Sequence, residues 1–519
     1  MAPFDEVLEK TGQFGVYQKR LLCLVCLTAA SVILQNLAPV FTMNLPRHRC
    51  KLPEYPNDTY SIQSSYHQHL INVTIPTTDG AYSECTLHDA NLYYNGSDAQ
   101  WKVTECSEWV YDKSTFESTI TTQLNLVCRN KIYRSHSNMM IFVGKISGAL
   151  INSVGGDSFG RRRVFMLLLL PMLACAVGLV FVNSLPALMI LRFFIGATSA
   201  GCYLCNVVIV MELVGPAYRR WAQVGLEVSS ISINLLATLF AYLLRDWRHF
   251  QAVVAAPCLP LLLGYIFVPE SPRWLVSKGR LAEAQKIVDA MARANGTSPA
   301  PTLDTDPDPP DGSNCQICIV MCMYGLMLNV SNMSGDIFLN FGIMSALNIV
   351  SLLIFTFLNE RVGRRLFLMG AAGVGGLACL ATILPVVLEE SDWILRGLSL
   401  GGRMFITTAM SGIYIMSPEL FPTVLRSFGL GSCSMMSQLG GLVSPYVADL
   451  VVFGIAGVTT AGMVLVLPET RGRHLPETVR DAEMFGRRPV DEQRSPEDVE
   501  MKTAPLLTTD IESHARNSA

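Results

Sequence analysis

Four ionisable side chains stand inside long apolar runs: Lys145, Arg192, Glu227 and Arg403. A charge near the centre of a bilayer costs about 2.5–3.5 kcal/mol on insertion scales, so such groups face a cavity, a water path or an opposite charge. The chemistry open to them is electrostatic recognition of a passing solute, or an ion pair that ties two helices together. Lys145, Glu227 and Arg403 are expected to line or border a solute path, and the ion-pair reading stands beside it. Covalent chemistry has little support. Nothing in the chain resembles a paired nucleophile and base, a metal-ligand cluster or a phosphate-cradling loop, so neither an enzyme nor a cofactor is expected. The C-x-x-C pairs Cys23/Cys26, Cys202/Cys205 and Cys315/Cys318 have zinc-like spacing. The first two sit inside apolar runs with no second ligand pair, which favours ordinary packing.

These side chains must be positioned by elements built for lipid. Of the 519 residues 50% are hydrophobic and 16% charged, against about 25% charged in soluble domains. A net charge of -3 argues against nucleic-acid partners. Runs long enough to cross a bilayer, about 20 residues each, fall at 21–43, 138–154, 164–183, 185–213, 220–244, 250–268, 342–358, 366–388, 393–416, 428–447 and 449–467, with a shorter run at 315–329. Twelve spans are expected. The first 20 residues are polar and mixed in charge, so the first run reads as a membrane span rather than a signal peptide.

Basic residues orient the spans. Lys19, Arg20, Arg161 to Arg163, Arg219, Arg220, Arg273 to Arg293, Arg361 to Arg365, Arg426 and Arg471 to Arg488 fall on one side. The positive-inside bias makes both termini (1–20 and 468–519) and the linker 269–314 cytoplasmic. The segment 44–137 is then outside. It holds Cys50, Cys85, Cys106 and Cys128, an even set that suggests two disulfides in any of three pairings. It also holds the glycosylation sequons at Asn57, Asn72 and Asn95. A fourth sequon, Asn295-Gly-Thr, lies on the cytoplasmic side and should go unused. Leu281 to Ala294 has helical apolar spacing and reads as a surface helix.

Two kinds of punctuation each occur twice, roughly two hundred residues apart: VPESPRWL with LPETRG, and GDSFGRRR with NERVGRR. Such weak repeats mark transporter folds built from two related halves, here 21–268 and 315–467.

Five phrases carry a more specific likeness: FDEVLEKTGQFGVYQKR, CSEWVYDKSTFESTITTQLNLVC, PESPRWLVSKGRLAEA, SPELFPTVLRSFGLG and LPETRGRHLPET. In this order and spacing, from residue 4 to about 485, the chain resembles the organic cation/carnitine/organic anion transporter family (solute carrier family 22) of the major facilitator superfamily, with an invertebrate organic cation transporter-like character. The resemblance implies an all-α membrane protein of twelve transmembrane helices in two six-helix bundles. Alternating access would carry small organic ions or zwitterions across the plasma membrane. It implies gating roles for Asp157, Gly160, Arg161 and Arg162, and for Glu360, Arg361, Gly363 and Arg364 in the second half. Glu212, Glu270, Arg273, Glu419, Arg426, Glu469 and Arg471 would stand at matching helix ends, and Arg192 at a recurrent basic position. Charges that merely fix topology are the plainer alternative.

Three departures touch specificity. Cation-selective members carry an acid just before a hydrophobic-Gly-Gly triplet, where this chain has Gln438. A second acidic position falls on Ile349. Gln438 can hydrogen-bond a neutral or zwitterionic solute, and Tyr414 can stack on a cation or simply pack. The run 315–329 spans about 22 Å as a helix, short of the roughly 30 Å hydrocarbon core. Relatives have a longer run there, and an omitted segment is expected. These departures keep a second class open: a non-transporting, receptor-like relative whose outer segment binds a protein.

Overall fold

The computed structural model describes residues 4–53, 55–78, 81–88, 103–215, 218–259, 268–297, 336–388, 392–420, 437–442, 444 and 450–465. The run 315–329, the linker part 298–314, most of 428–447, the tail from 466, and Asn95, Arg426, Glu469 and Arg471 lie outside the described residues.

A short α1 (Phe4–Thr11) precedes the long α2 (Val16–Thr42). A polar insertion follows, and then α5 (Lys131–Phe159), α6 (Arg161–Val180), α7 (Leu185–Leu213), α8 (Arg219–Leu243) and α9 (Trp247–Ala255). The second half holds α12 (Ile337–Val362), α13 (Arg364–Ala381), α14 (Ile383–Val387), α15 (Asp392–Leu420) and α16 (Leu450–Val464). Among the described residues six helices are long and apolar enough to cross a membrane. Helices α5 and α15 match them in length at 29 residues each.

Small residues let the helices meet. A Cβ on Gly144 or Gly148 of α5 would strike the α7 backbone at Phe193 and Ala197, and one on Gly196 of α7 would strike Ile141 of α5. With lipid outside there is no hydrophobic gain in pairing helices, so close backbone approach and dispersion hold this pair. The halves meet along α8 and α12, where Ile231 packs on Leu352 and Phe355. At the end nearer the insertion, the Phe41 ring of α2 lies 5.2 Å from Phe341 and 6.1 Å from Phe338 of α12. Phe116 of the insertion closes on Phe338 at 5.2 Å.

The insertion contains β1 (His48–Cys50), α3 (Ser65–Thr74), β2 (Thr77–Thr78), β3 (Ala81–Tyr82), β4 (Thr86–His88), β5 (Val103–Glu105), β6 (Trp109–Tyr111) and α4 (Ile120–Gln123). Its antiparallel ribbons pair β1 with β6, β2 with β3 and β4 with β5. Of the three pairings open to the cysteines, the structure has Cys50–Cys106 and Cys85–Cys128, with Cα separations of 5.8 and 5.6 Å. Under β1 sits a buried ionic group. Arg49 grips Asp58 with both terminal nitrogens, at 2.9 and 2.5 Å, and His67 Nε2 lies 3.0 Å from the same carboxylate. The Gln63 N–H enters His67 Nδ1 at 3.1 Å, which leaves the ring proton on Nε2, facing Asp58. Burial alone would push the Asp58 carboxyl up. The hydrogen bonds from Arg49 and the Leu52 N–H, with the guanidinium charge, outweigh it and hold the carboxyl below its ordinary value.

On the opposite side α10 (Pro272–Ser277) and α11 (Leu281–Asn295) form a small pack with α1. Ser271 caps α10 by accepting the Trp274 N–H at 3.3 Å. Gly296, at φ +72°, ends α11 in the left-handed conformation that suits glycine. Val7 of α1 is buried against Trp274, Leu275, Ala284 and Val288. Asn295 pins this layer: its Oδ1 accepts the Tyr17 N–H at 3.0 Å, and its Nδ2 donates to Thr11 O and Gln18 Oε1, both at 3.0 Å.

Candidate functional site

The two repeated loops have one geometry. Gly160 joins α5 to α6 at φ +100° and ψ 149°, and Gly363 joins α12 to α13 at φ +97° and ψ 148°. Only glycine adopts that region without strain, so a glycine lets each helix turn directly into the next. In the first half Glu270 accepts the Arg162 N–H and its own neighbour's N–H at Ser271, each at 3.1 Å. It thus satisfies an orphan donor at the start of α6 and sits favourably on that helix dipole. Arg161 donates to Gly156 O at 3.1 Å and pairs with Glu212, at the end of α7, at 3.6 Å. Arg273 lies in the first turn of α10, beside Glu270. The structure therefore gathers Gly160, Arg161, Arg162, Glu212, Glu270 and Arg273 at one corner joining α5, α6, α7 and α10. In the second half Arg364 opens α13, and Arg365 donates to Leu465 O beyond the end of α16. Asp157, Glu360 and Glu419 are placed in their helices by backbone alone, as is Tyr414.

The charges within the spans separate into different neighbourhoods. Glu227 stands on α8 in a stripe of Gln223, Glu227, Ser230, Asn234 and Thr238, whose 3- and 4-residue steps fall on one helix face. Val228, Leu235, Leu236, Leu239 and Leu243 are exposed around the other side, which is the lipid-facing surface. The one hydrogen bond to Glu227 comes from Gln223 Nε2, at 3.3 Å, and among the described residues no basic side chain pairs with it. Lys145 is buried, with its Nζ 4.9 Å from the Phe142 ring centre. The segment 437–442 packs on the same stretch of α5, where Gly441 meets the Phe142 ring. Gln438 in that segment donates weakly to Ser437 Oγ at 3.4 Å, and its buried Oε1 has no partner. Arg403 is buried on α15, next to Gly402, which touches Cys379 and Gly375 of α13. Arg192 lies elsewhere, inside the first half, where it donates to Asn138 at 2.8 Å. So Lys145 and Gln438 come to one wall, while Glu227 and Arg403 stand on separate helices.

Asn57 and Asn72 are exposed on the insertion, and Asn72 Oδ1 accepts from Gln68 at 3.0 Å and from Tyr82. The Asn295 bracket was not foreseen, because its partners are about 280 residues away and no local pattern announces them.

The profile of the sugar (and other) transporter family matches residues 59–304 and 315–479. The organic cation transporter protein of Drosophila melanogaster is 31% identical over 95% of this chain and 97% of its own. Solute carrier family 22 member 1 of Oryctolagus cuniculus is 31% identical over 94% of this chain and 96% of its own. The chain belongs to solute carrier family 22 of the major facilitator superfamily. The xylose transporter XylE of E. coli, in a partially occluded inward-open conformation, shares the fold with a TM-score of 0.59, at 14% identity over 88% of this chain and all of that one. This member of the family is therefore a multi-pass membrane protein with the major facilitator fold, and it transports solute across the membrane. The receptor-like alternative finds no support among these relatives.

Proposed function

We propose that the protein carries small organic cations or zwitterions across the plasma membrane by alternating access between its halves, 21–268 and 315–467. In this reading the insertion lies outside the cell, and both termini and the 269–314 linker lie in the cytoplasm. Glu227 carries the argument: a carboxylate on the inward polar face of α8 whose one protein partner is a neutral amide. Burying a carboxylate without a counter-charge is costly, and a cationic solute supplies the missing charge in transit. The unpartnered carbonyl of Gln438 adds a neutral acceptor where cation-selective relatives place an acid. The printed names of the relatives, organic cation transporters among them, point the same way.

Gating is proposed to reside in the corner held by Arg161, Glu212 and Glu270, with Asp157, Arg162 and Arg273, and in its counterpart at Glu360, Arg361, Gly363, Arg364, Glu419, Arg426, Glu469 and Arg471. Lys145 and Arg403 border the path, and Tyr414 offers it a ring. The carrier makes and breaks no covalent bond in its solute.

The test is uptake into cells expressing the full chain, normalised to surface protein, of a quaternary cation, carnitine and an aromatic carboxylate. Saturable uptake of the cation or of carnitine is the expected result. Uptake confined to the carboxylate would overturn the role given to Glu227, and no uptake of any probe by surface protein would overturn the solute class.

A further inference from the structure

A second polar group lies away from the proposed path, inside the first half and about two turns in from its insertion-side end. Arg192 of α7 is 3% exposed, and its one protein hydrogen bond goes to Asn138 of α5. A guanidinium has five N–H donors and no acceptor, so a neutral amide oxygen satisfies a fraction of its capacity and none of its charge. Among the described residues no carboxylate pairs with it. The neighbours are neutral: Arg192 lines a small cavity with Gln35 and Thr42 of α2, Gln251 of α9 and apolar side chains. Gln35 and Gln251 are each 2% exposed. The Gln35 Oε1 is taken by Gln251 Nε2 at 3.5 Å, while the Gln35 Nε2 is a buried donor with no partner. Arg134, one turn before Asn138 on α5, adds positive charge on the same helix face.

An uncompensated buried cation and an orphan N–H donor thus line one cavity. Its volume of about 10 Å³ admits one occupant of roughly water size. That size excludes an organic carboxylate, and the donor set disfavours a cation. We propose that Arg192, Gln35 and Gln251 form a binding site for a single small monovalent anion of chloride size, which neutralises the guanidinium and braces α2, α5, α7 and α9 together. The site is distinct from the solute path and does not depend on the charge class of the solute.

The experiment uses the purified full-length protein and follows its thermal unfolding midpoint at constant ionic strength and constant sodium. Chloride replaces gluconate stepwise, and bromide and sulfate are run in parallel. Chloride and bromide should raise the midpoint by a few degrees in a saturable way, while gluconate and sulfate, too large for the cavity, should not. Gln35→Glu places a fixed carboxylate beside Arg192 and should abolish the chloride response; Gln251→Glu does the same from α9 should the first variant fail to fold. Arg248→Gln, at a half-buried arginine that does not line the cavity, should keep the response. Equal midpoints in chloride and gluconate for the unsubstituted protein would overturn the proposal, as would a chloride response that survives either glutamate.

Discussion

Glu227, half-buried on the polar face of α8, and Asp58, buried in the insertion, are carboxylates set apart by their partners. Asp58 is held by Arg49, His67 and a backbone N–H within its own domain, whereas Glu227 has a neutral amide alone. Replacing Glu227 by Gln keeps the shape and removes the charge. The expected outcome is a KM for the quaternary cation raised about tenfold, equivalent to about 1.4 kcal/mol, with normal surface protein; an unchanged KM would take Glu227 out of the path. Asp58→Asn breaks a buried ion pair and should cost the insertion about 3–5 kcal/mol at neutral pH, read as a lower unfolding midpoint. The pH sense follows from the lowered carboxyl of Asp58. Its stabilisation is fully present above the ordinary value of 3.8 and is lost as pH falls through the still lower folded value. The midpoint of the insertion should therefore hold from pH 7 down to about 4 as far as this group is concerned, and fall below that. That the four cysteines form two disulfides within one polar insertion was legible from their number and place alone, though not which pairs with which. The Arg49–Asp58–His67 group was not, because its members are ordinary polar residues that only the folded insertion brings together.

Among the elements, apolar runs foretold helix existence better than helix ends. The run 185–213 became α7 with the same bounds, and 220–244 became α8, Arg219–Leu243. The run 138–154 grew into Lys131–Phe159, because its polar first turns point Ser137 and Asn138 inward rather than ending the helix. Hydropathy counts side chains facing lipid and misses polar ones buried between helices. Residues 1–20 are polar and mixed in charge, yet Val7 and Leu8 of α1 are fully buried. The repeated glycines were visible as motifs, and their shared backbone conformation explains the repeat. Gly160→Ala should be damaging for two reasons. It meets a strain of order 1–3 kcal/mol from positive φ, and a Cβ there presses on Glu270 Oε2, 2.5 Å away, and on Trp274. Gly160→Ala is expected to lower surface protein well below the unsubstituted chain, and unchanged surface protein would contradict this account of the first-half corner.

For the whole molecule, the insertion does more than decorate the bundle. Ser118 donates to Asp246 at 2.6 Å, Arg245 to Ser114 O at 3.1 Å, and Phe116 packs on the aromatic group that joins the halves. Two disulfides close stretches of 56 and 43 residues in the domain that carries this group. Each bond of this kind is worth about 2–4 kcal/mol, mostly through the unfolded chain. Reduction should lower the unfolding midpoint and, through Phe116, loosen the closure at Phe41 and Phe338. Faster labelling of the peptide carrying a cysteine introduced at Ser345 by an impermeant reagent, applied from the insertion side after reduction and read by mass spectrometry apart from the four thiols that reduction frees, is the expected sign; an equal rate at that peptide before and after would mean that the insertion and the closure act independently. At this scale the likeness of the two halves was readable from repeated punctuation, but which ends touch was not, since contacts such as Phe41 with Phe341 join residues 300 apart in sequence.

The bracket made by Asn295 has a practical consequence for mapping sidedness. Oligosaccharyltransferase must draw the acceptor amide into its own catalytic groove, and here that amide is already committed to Thr11, Gln18 and Tyr17. An unmodified Asn295 is thus the outcome in either compartment once the layer has folded, and its silence says nothing about which leaflet the linker adjoins. An engineered acceptor at the exposed Lys278, made with Lys278→Asn and Arg280→Thr, stands clear of the bracket and gives a readable answer.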